Sequence, residues 1–253
     1  MRTIGIEREW FILKDGKIVP MIGELLEEIR KQTNNNSFNE DFDQFGFELF
    51  AGQVEDRTRI SDSINGAIIS LSENKEILIN SCKNLGLEVV CKEFVTEQEL
   101  GGLVVNPISE RHQEIWKNLP KERKVAASQV AAIHVHIQVT EDEAVNVLNF
   151  CRKDVVDRLV EIGDSSEKRR IDAYRMMAKK NGDPPTFEDY KGLKKYIEES
   201  GGERDVWDLI RYKPSTNTLE FRMFGSTEDD EKIREFIEVS YDIVEKAQKS
   251  GRS

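Results

Sequence analysis

Glu7 and Glu9 stand two residues apart in a segment rich in Ile, Trp and Phe. Side chains alternate along an extended chain, so these two carboxylates share one face while Ile4, Ile6 and Trp10 take the other. Similar spacings recur. Glu48 falls opposite to Phe45, Phe47 and Leu49, with Glu55 just beyond. His134, His136 and Gln138 alternate with Ile133, Val135, Ile137 and Val139, and Glu220 and Arg222 alternate with Leu219, Phe221 and Met223. One such pair is the ordinary solvated face of a half-exposed strand. The conjunction says more, because two of the chain's 3 histidines fall in one strand. If the four strands are neighbours with these faces aligned, one surface gathers carboxylates, two imidazoles and an arginine. Crowded carboxylates repel unless divalent cations neutralise them. Oxygen ligands with an occasional imidazole suit Mg²⁺, with Mn²⁺ as an alternative, and such a surface can hold a nucleoside triphosphate by its phosphates.

The elements that must position these residues can be read from periodicity. Thr3–Leu13 reads as a strand, Asp15-Gly16 as a hairpin turn and Met21–Lys31 as a helix, with a loop tip at Thr33–Ser37. Phe45–Val54 reads as one long strand, Thr58–Leu85 as a long helix stopped by Gly86, and Leu87–Cys91 as a short strand. Between Lys92 and Lys124 a strand or turn around Leu103–Asn106 and a helix over Ser109–Asn118 are expected. Val125–Val139 reads as a strand, and Thr140 with Glu143 forms a capping box that opens a helix to Ile162. Helices over Glu167–Lys180 and Thr186–Glu199 flank a break at Asp183-Pro184-Pro185. Strands over Asp205–Tyr212 and Thr216–Phe224 precede a last helix, capped by Thr227 and running to Lys249. Strands and helices mix without regular βαβ alternation, so the expectation is one α+β domain over residues 1–253, a mainly antiparallel sheet with helices packed on one face.

In this order the segments Gly5-Ile6-Glu7-Arg8-Glu9, Phe47-Glu48-Leu49 with Gln53-Val54-Glu55, Ile133-His134-Val135-His136 and Thr218-Leu219-Glu220-Phe221-Arg222 resemble the glutamate–cysteine ligases of type 2, a carboxylate–amine ligase family with a glutamine synthetase-like fold. Tyr174-Arg175 with Gly182-Asp183-Pro184, and Trp207 through Arg211, are similar to two further segments of that family. The resemblance runs from Gly5 to Phe224. It implies that Glu7, Glu9, Glu48, Glu55, His134 and Glu220 hold Mg²⁺ bridging the phosphates of ATP. It also implies that Arg222 faces the transferred phosphoryl group and that Arg175 and Arg211 contact substrate carboxylate or phosphate. His136 orients its neighbour or touches nucleotide. The implied reaction is ATP-dependent amide formation between a carboxylate, the side chain of glutamate among the candidates, and an amine, through an acyl phosphate. Within enzymes a guanidino or amine phosphotransferase of the same broad fold is the alternative. Outside them, the alternative is a non-catalytic metal- or nucleotide-binding module.

The chain departs from the family in three places. It is shorter between Phe94 and Val130, where Asn106-Pro107 is the nearest match to a His-Pro segment. Asp208 is displaced by one position, and Gly225-Ser226 replaces an acidic residue. These departures leave the acid and the amine open, whether small molecules or peptides.

Composition narrows the partners. With 48 acidic against 37 basic residues the net charge is −11, which repels a nucleic-acid backbone. The short basic stretches Lys121–Lys124 and Lys168–Arg170 read as solvated faces. Cys82, Cys91 and Cys151 show no metal spacing, and Cys151 reads as a buried helix residue. The absence of a signal-like leader or a long apolar run leads to the expectation of a cytoplasmic protein without a membrane partner. Oligomeric state is not legible.

Overall fold

The structure is a computed structural model that describes residues 2–33 and 44–250. Strand β1 (Ile4–Lys14) runs through the middle of the sheet with its two faces loaded for different purposes: Ile4, Ile6, Trp10 and Ile12 are buried on one side, and Glu7 and Glu9 occupy the other. It turns at Asp15-Gly16, whose φ angles are 51° and 73°, into β2 (Lys17–Ile18). Left-handed geometry at both central residues is what a two-residue hairpin needs to match the strand twist. The remaining strands are β3 (Phe45–Phe47), β4 (Gln53–Arg57), β5 (Glu88–Val90), β6 (Ala132–Gln138), β7 (Ile210–Lys213) and β8 (Thr218–Gly225). The main path is β3-β4-β1-β6-β8-β7 with every neighbour antiparallel, and β2 and β5 add to the far end of β1. The α+β, mainly antiparallel expectation holds.

The helices are α1 (Ile22–Thr33), α2 (Ile64–Leu85), α3 (Glu110–Asn118), α4 (Lys121–Gln129), α5 (Glu141–Phe150), α6 (Lys153–Gly163), α7 (Arg169–Ala178), α8 (Tyr190–Glu199) and α9 (Asp230–Ser250). On the apolar face of the sheet, Ile6, Val135, Ile137 and Phe221 join Leu71 of α2, Leu148 of α5, Leu159 of α6 and Ile237 of α9 in the largest core cluster. Each such buried aliphatic or aromatic side chain is worth about 1.5–3 kcal/mol of transfer free energy. The same face holds a polar knot. Arg8, 1% exposed, donates to Asp56 through Nε (3.0 Å) and Nη2 (3.1 Å), and Trp10 Nε1 donates to the same carboxylate at 2.6 Å. This pair ties β1 to β4 from behind.

Several boundaries differ from the sequence reading. Phe45–Val54 is not one strand but the hairpin β3–β4, whose connection Glu48–Gly52 is turned over at Ala51-Gly52; the apolar run Phe45, Phe47, Leu49, Phe50 and Val54 masked the break. Val125–Gln129 belongs to α4, which Pro120 opens and Ala126-Ala127 favour. α2 begins at Ile64 rather than Thr58, with Ser63 capping it by accepting from the Gly66 amide, and Gly86 at φ 65° closes it as expected. The Thr140–Glu143 capping box is present, but its helix ends at Phe150 and a second helix, α6, follows. Asp229 rather than Thr227 accepts the first amides of α9. β7 begins only at Ile210. The loop tip read over Thr33–Ser37 lies outside the described residues beyond Thr33. Arg170 is buried, so the Lys168–Arg170 stretch is not a solvated face. No helix of the described residues is long and apolar enough to cross a membrane.

Candidate active site

Register, more than spacing, brings the charged residues together. Across β1 and β4, Glu9 pairs with Glu55 and Glu7 with Arg57. Across β1 and β6, Glu7 pairs with His134, and across β6 and β8, His136 pairs with Glu220. Across β8 and β7, Glu220 pairs with Arg211. Directly opposed side chains in an antiparallel pair are in contact range, so one face of five adjacent strands becomes a continuous charged surface. Gly46 of β3, opposite Glu55, leaves room for this: a Cβ there would lie 2.6 Å from Arg57 Nη2.

His134 is the centre. Its Nδ1 lies 3.0 Å from Glu7 Oε2 and 3.6 Å from Glu220 Oε1, and its Nε2 lies 3.5 Å from Glu9 Oε1. Two groups of potential metal ligands share it, Glu7–His134–Glu220 and Glu9–Glu55–His134, each with ligand atoms within 4.8 Å of one another. A neutral imidazole has one protonated nitrogen. The hydrogen bond with Glu7 assigns that proton to Nδ1 and leaves Nε2 as a lone-pair donor toward Glu9 and Glu55, the carboxylate–histidine arrangement that orients metal ligands. Burial, with Arg222 nearby, pushes the His134 pKa down to about 4, so the ring is neutral at pH 7.

The carboxylates divide sharply. Burial and the charge of Glu55 push Glu9 up to about 8; burial and the charge of Glu9 push Glu48 up to about 8. Glu55 is raised well above the carboxylate range by burial and by Glu7 and Glu48, against the pull of its ion-pair partner Arg57. Burial also opposes ionisation of Glu7, but His136, His134 and Lys213 outweigh it and hold the carboxyl well below its usual value. Glu220, fully buried, is likewise held low by Arg211 and Arg222. Arg211 donates to both its oxygens, at 2.7 and 3.1 Å, and Arg222 Nη1 donates to Oε1.

A cleft opens over this surface. Glu7, Glu48, Glu55 and His134 line its floor side with Arg57, Arg211, Lys213 and Arg222. Glu48 enters from the β3–β4 connection, not from a strand face. Glu9 and Glu220 lie behind the lining, within ligand distance of His134. Phe47, Ile115 and Trp207 supply apolar wall, and Arg111, His112 and Arg204 stand at the side contributed by α3 and the turn Glu203–Asp205. Arg111 bonds Asp205 at 2.7 Å, joining those two segments.

Thus Glu7, Glu9, Glu48, Glu55, His134, Glu220, Arg211 and Arg222 do converge. His136 lies against the site without lining the cleft: its Nδ1 meets Thr218 Oγ1 at 3.2 Å and its Nε2 is 3.3 Å from Glu7 Oε1. Arg175 does not converge. It bonds the Asn181 carbonyl at 2.8 Å and lies 3.8 Å from Asp157, because its position on α7 turns it away from the sheet. Arg57 and Lys213 escaped the sequence reading although each stands two residues after a candidate, Glu55 and Arg211, which was the available signal. Arg111, His112, Arg204 and Trp207 line the cleft from outside the sheet strands, where alternation gives no signal.

Fold and cleft together define a glutamine synthetase-like architecture, an antiparallel sheet whose charged face is the site. A sequence profile of glutamate–cysteine ligase family 2 matches residues 3–155, and the chain belongs to that family. Among curated proteins none matches its sequence. Among solved structures it is similar to a bifunctional glutathione synthetase from Pasteurella multocida (TM-score 0.60, 14% identity, covering 97% of this chain and 39% of that one). It is also similar to a glutamate–cysteine ligase from Francisella tularensis in complex with AMP (TM-score 0.60, 12% identity, 94% and 66%). A novel glutamine synthase homolog has a TM-score of 0.50 at 11% identity, with 97% and 55% covered. At these identities the likeness is one of fold, and the chain spans less than two thirds of each of those longer proteins.

Proposed function

We propose that the protein is an ATP- and Mg²⁺-dependent ligase that joins a carboxylate to an amine. The observation that carries this reading is an acidic group, Glu9 and Glu55 within ligand distance of His134 with Glu48 beside Glu55, set next to Arg211, Lys213 and Arg222, which line the cleft. The donor set fits a hard divalent cation: three carboxylates that repel one another, with a neutral imidazole. Glu9, Glu55 and His134 would hold Mg²⁺ with Glu48 beside them, and Glu7 and Glu220 stand within reach of the same ring. Bound there, Mg²⁺ supplies charge neutralisation for phosphate oxygens.

The chain's own part is positioning. Arg222 Nε is buried without a hydrogen-bond acceptor, a donor suited to an anionic oxygen. Arg211, fixed by Glu220 and by the Glu203 and Val206 carbonyls at 3.1 and 3.0 Å, and Lys213 offer further positive charge. In the first step an oxygen of the acid's carboxylate bonds to the γ-phosphorus of ATP as the bond to the bridging oxygen breaks, giving an acyl phosphate and ADP. In the second the amine attacks the acyl carbon, phosphate leaves, and the nitrogen loses a proton, giving the amide. Preorganised cations that meet charge as it develops are the main catalytic lever in such chemistry. No covalent nucleophile is required. The substrates are small-molecule or peptide acids and amines.

The test is ADP release from ATP and Mg²⁺ with pooled carboxylates and amines, with Glu9→Gln as control. Release that requires both an acid and an amine, with amide product and loss in the variant, is the expected result. ADP release accompanied by a phosphorylated amine and no amide would replace the ligase by a phosphotransferase. Failure to bind ATP with Mg²⁺ would reject the reading.

A further inference from the structure

The ladder between β6 and β8 is interrupted at the site. Ile133 pairs with Phe224 and Val135 with Phe221, so the single residue His134 is opposed by two, Arg222 and Met223. This is a β-bulge, a device that re-aims a side chain at the cost of leaving backbone groups outside the ladder. The Arg222 amide is used by β7's approach, donating to the Leu209 carbonyl at 2.8 Å. The carbonyls of Arg222 and Met223 instead turn to Arg170, which is 1% exposed: Nη2 donates to Arg222 O at 2.9 Å and Nη1 to Met223 O at 2.8 Å. Buried carbonyls without such a donor would each carry a desolvation cost.

The third donor of Arg170 reaches the other side of His134. Nε donates to Ala131 O at 3.1 Å, and the amide of the same peptide group, Ala132 N–H, donates to Glu9 Oε2 at 2.7 Å. One guanidinium therefore holds the backbone under Arg222 and the peptide that anchors Glu9. Arg170 is itself placed from behind: its amide donates to Ser166 Oγ at 2.8 Å at the start of α7. Three carbonyls in three directions match the planar donors of arginine and exceed what one lysine ammonium can reach in that arrangement.

We propose that Arg170 is a positioning residue that holds the Arg222–Met223 bulge and the Ala131–Ala132 peptide, and so sets where Arg222 and Glu9 stand relative to His134. It touches no substrate. The kinetic consequence rests on the ligase reading above; the structural one does not.

The experiment uses the full chain with ¹⁵N-labelled arginine, as wild type, Arg170→Lys, Arg222→Lys and the double variant. In side-chain spectra Arg170→Lys is expected to shift or broaden the Arg222 Nε–H signal while Arg8, tied to Asp56, keeps its own; an unmoved Arg222 signal overturns the proposal. In ADP release, kcat is expected to fall about a hundredfold, as for a misplacement near 1 Å. The KM for ATP should change less than about threefold, and Arg170→Lys should add less than about threefold in the Arg222→Lys background. Additive effects would show a merely structural residue and overturn it. Should Arg170→Lys not fold, Ser166→Ala loosens the same guanidinium and is expected to move the same Arg222 signal, an unmoved signal again overturning the proposal. If the wild type releases no ADP, the ligase reading fails alone, and the spectra still decide the role of Arg170.

Discussion

Two halves of one charged surface, only a side chain apart, behave in opposite ways. On one flank of His134, Glu9, Glu48 and Glu55 are all pushed up, to about 8 in the first two. On the other, Glu7 and Glu220 are held low although burial acts on them in the same sense. Burial is therefore not what separates them. The difference is in the neighbours: Arg211 and Arg222 embrace Glu220, and Lys213 with the two imidazoles faces Glu7, whereas the largest charge effect on Glu9 and on Glu48 comes from another carboxylate. One flank is complete as a folded protein. The other carries acidic groups that the chain's own cations offset only in part, and under the proposed function it is the flank that would take a divalent ion.

The sharpest break of this comparison is a matched pair of substitutions. Glu220→Gln strips the counter-charge from Arg211 and Arg222, and leaving buried cations unpaired is expected to cost about 3–5 kcal/mol. Glu48→Gln removes a charge that burial and Glu9 disfavour more than Arg222 favours it, and is expected to stabilise the metal-free protein by about 1 kcal/mol at pH 8. Urea unfolding with an unchanged m-value measures both. Equal losses in the two variants would mean that the flanks do not differ as described.

The pH dependence of the metal-free protein sharpens the same point. Glu9 and Glu48 have folded pKa values near 8, above the ordinary carboxylate range, so the folded state holds extra protons up to that pH. Stability then falls as pH rises, by up to about 1.4 kcal/mol per pH unit for each proton. Two histidines act in the other sense: His134 and His112, lowered to about 4, contribute stability that is lost as pH falls below 6.5. The uncontested window is thus pH 6.5 to 8, where the melting temperature should decline. Saturating Mg²⁺ should abolish the decline and add about 2.7 kcal/mol at a hundred times its Kd. A melting temperature that rises across this window without metal would contradict the acid-rich flank.

The same division explains what could be read from the sequence. Strand alternation alone exposed Glu7 with Glu9, His134, and Glu220 with Arg222, because a period of two survives any register. It failed where the chain leaves that period. Glu48 reaches the cleft from a turn hidden inside a largely apolar run, and Arg111 and Trp207 come from a helix and a coil. The family resemblance in turn named the wrong arginine of α7 for the site, Arg175. Arg175 and Arg170 are five residues apart, about 140° around a helix, so only one of them can point at the sheet. The one that does makes no contact a motif could announce, since its partners are backbone carbonyls at a bulge.

The gentlest test concerns Lys213. Its ammonium is 3.8 Å from Glu7 Oε1, and both side chains retain partial solvent exposure. It therefore differs from Arg211 and Arg222, which hold the fully buried Glu220 by direct hydrogen bonds. Lys213→Met should change stability by less than about 1 kcal/mol, because a solvent-screened pair contributes little and His134 and His136 still face Glu7. Since Lys213 lines the cleft, its larger effect belongs to an anionic ligand: a several-fold rise in the apparent Kd for ATP with Mg²⁺, diminishing as salt is added. A stability loss as large as that of Glu220→Gln would show that Glu7 depends on this one cation. The low-pKa flank would then be a chain of single pairings, each needed, rather than a surface in which several cations share two carboxylates.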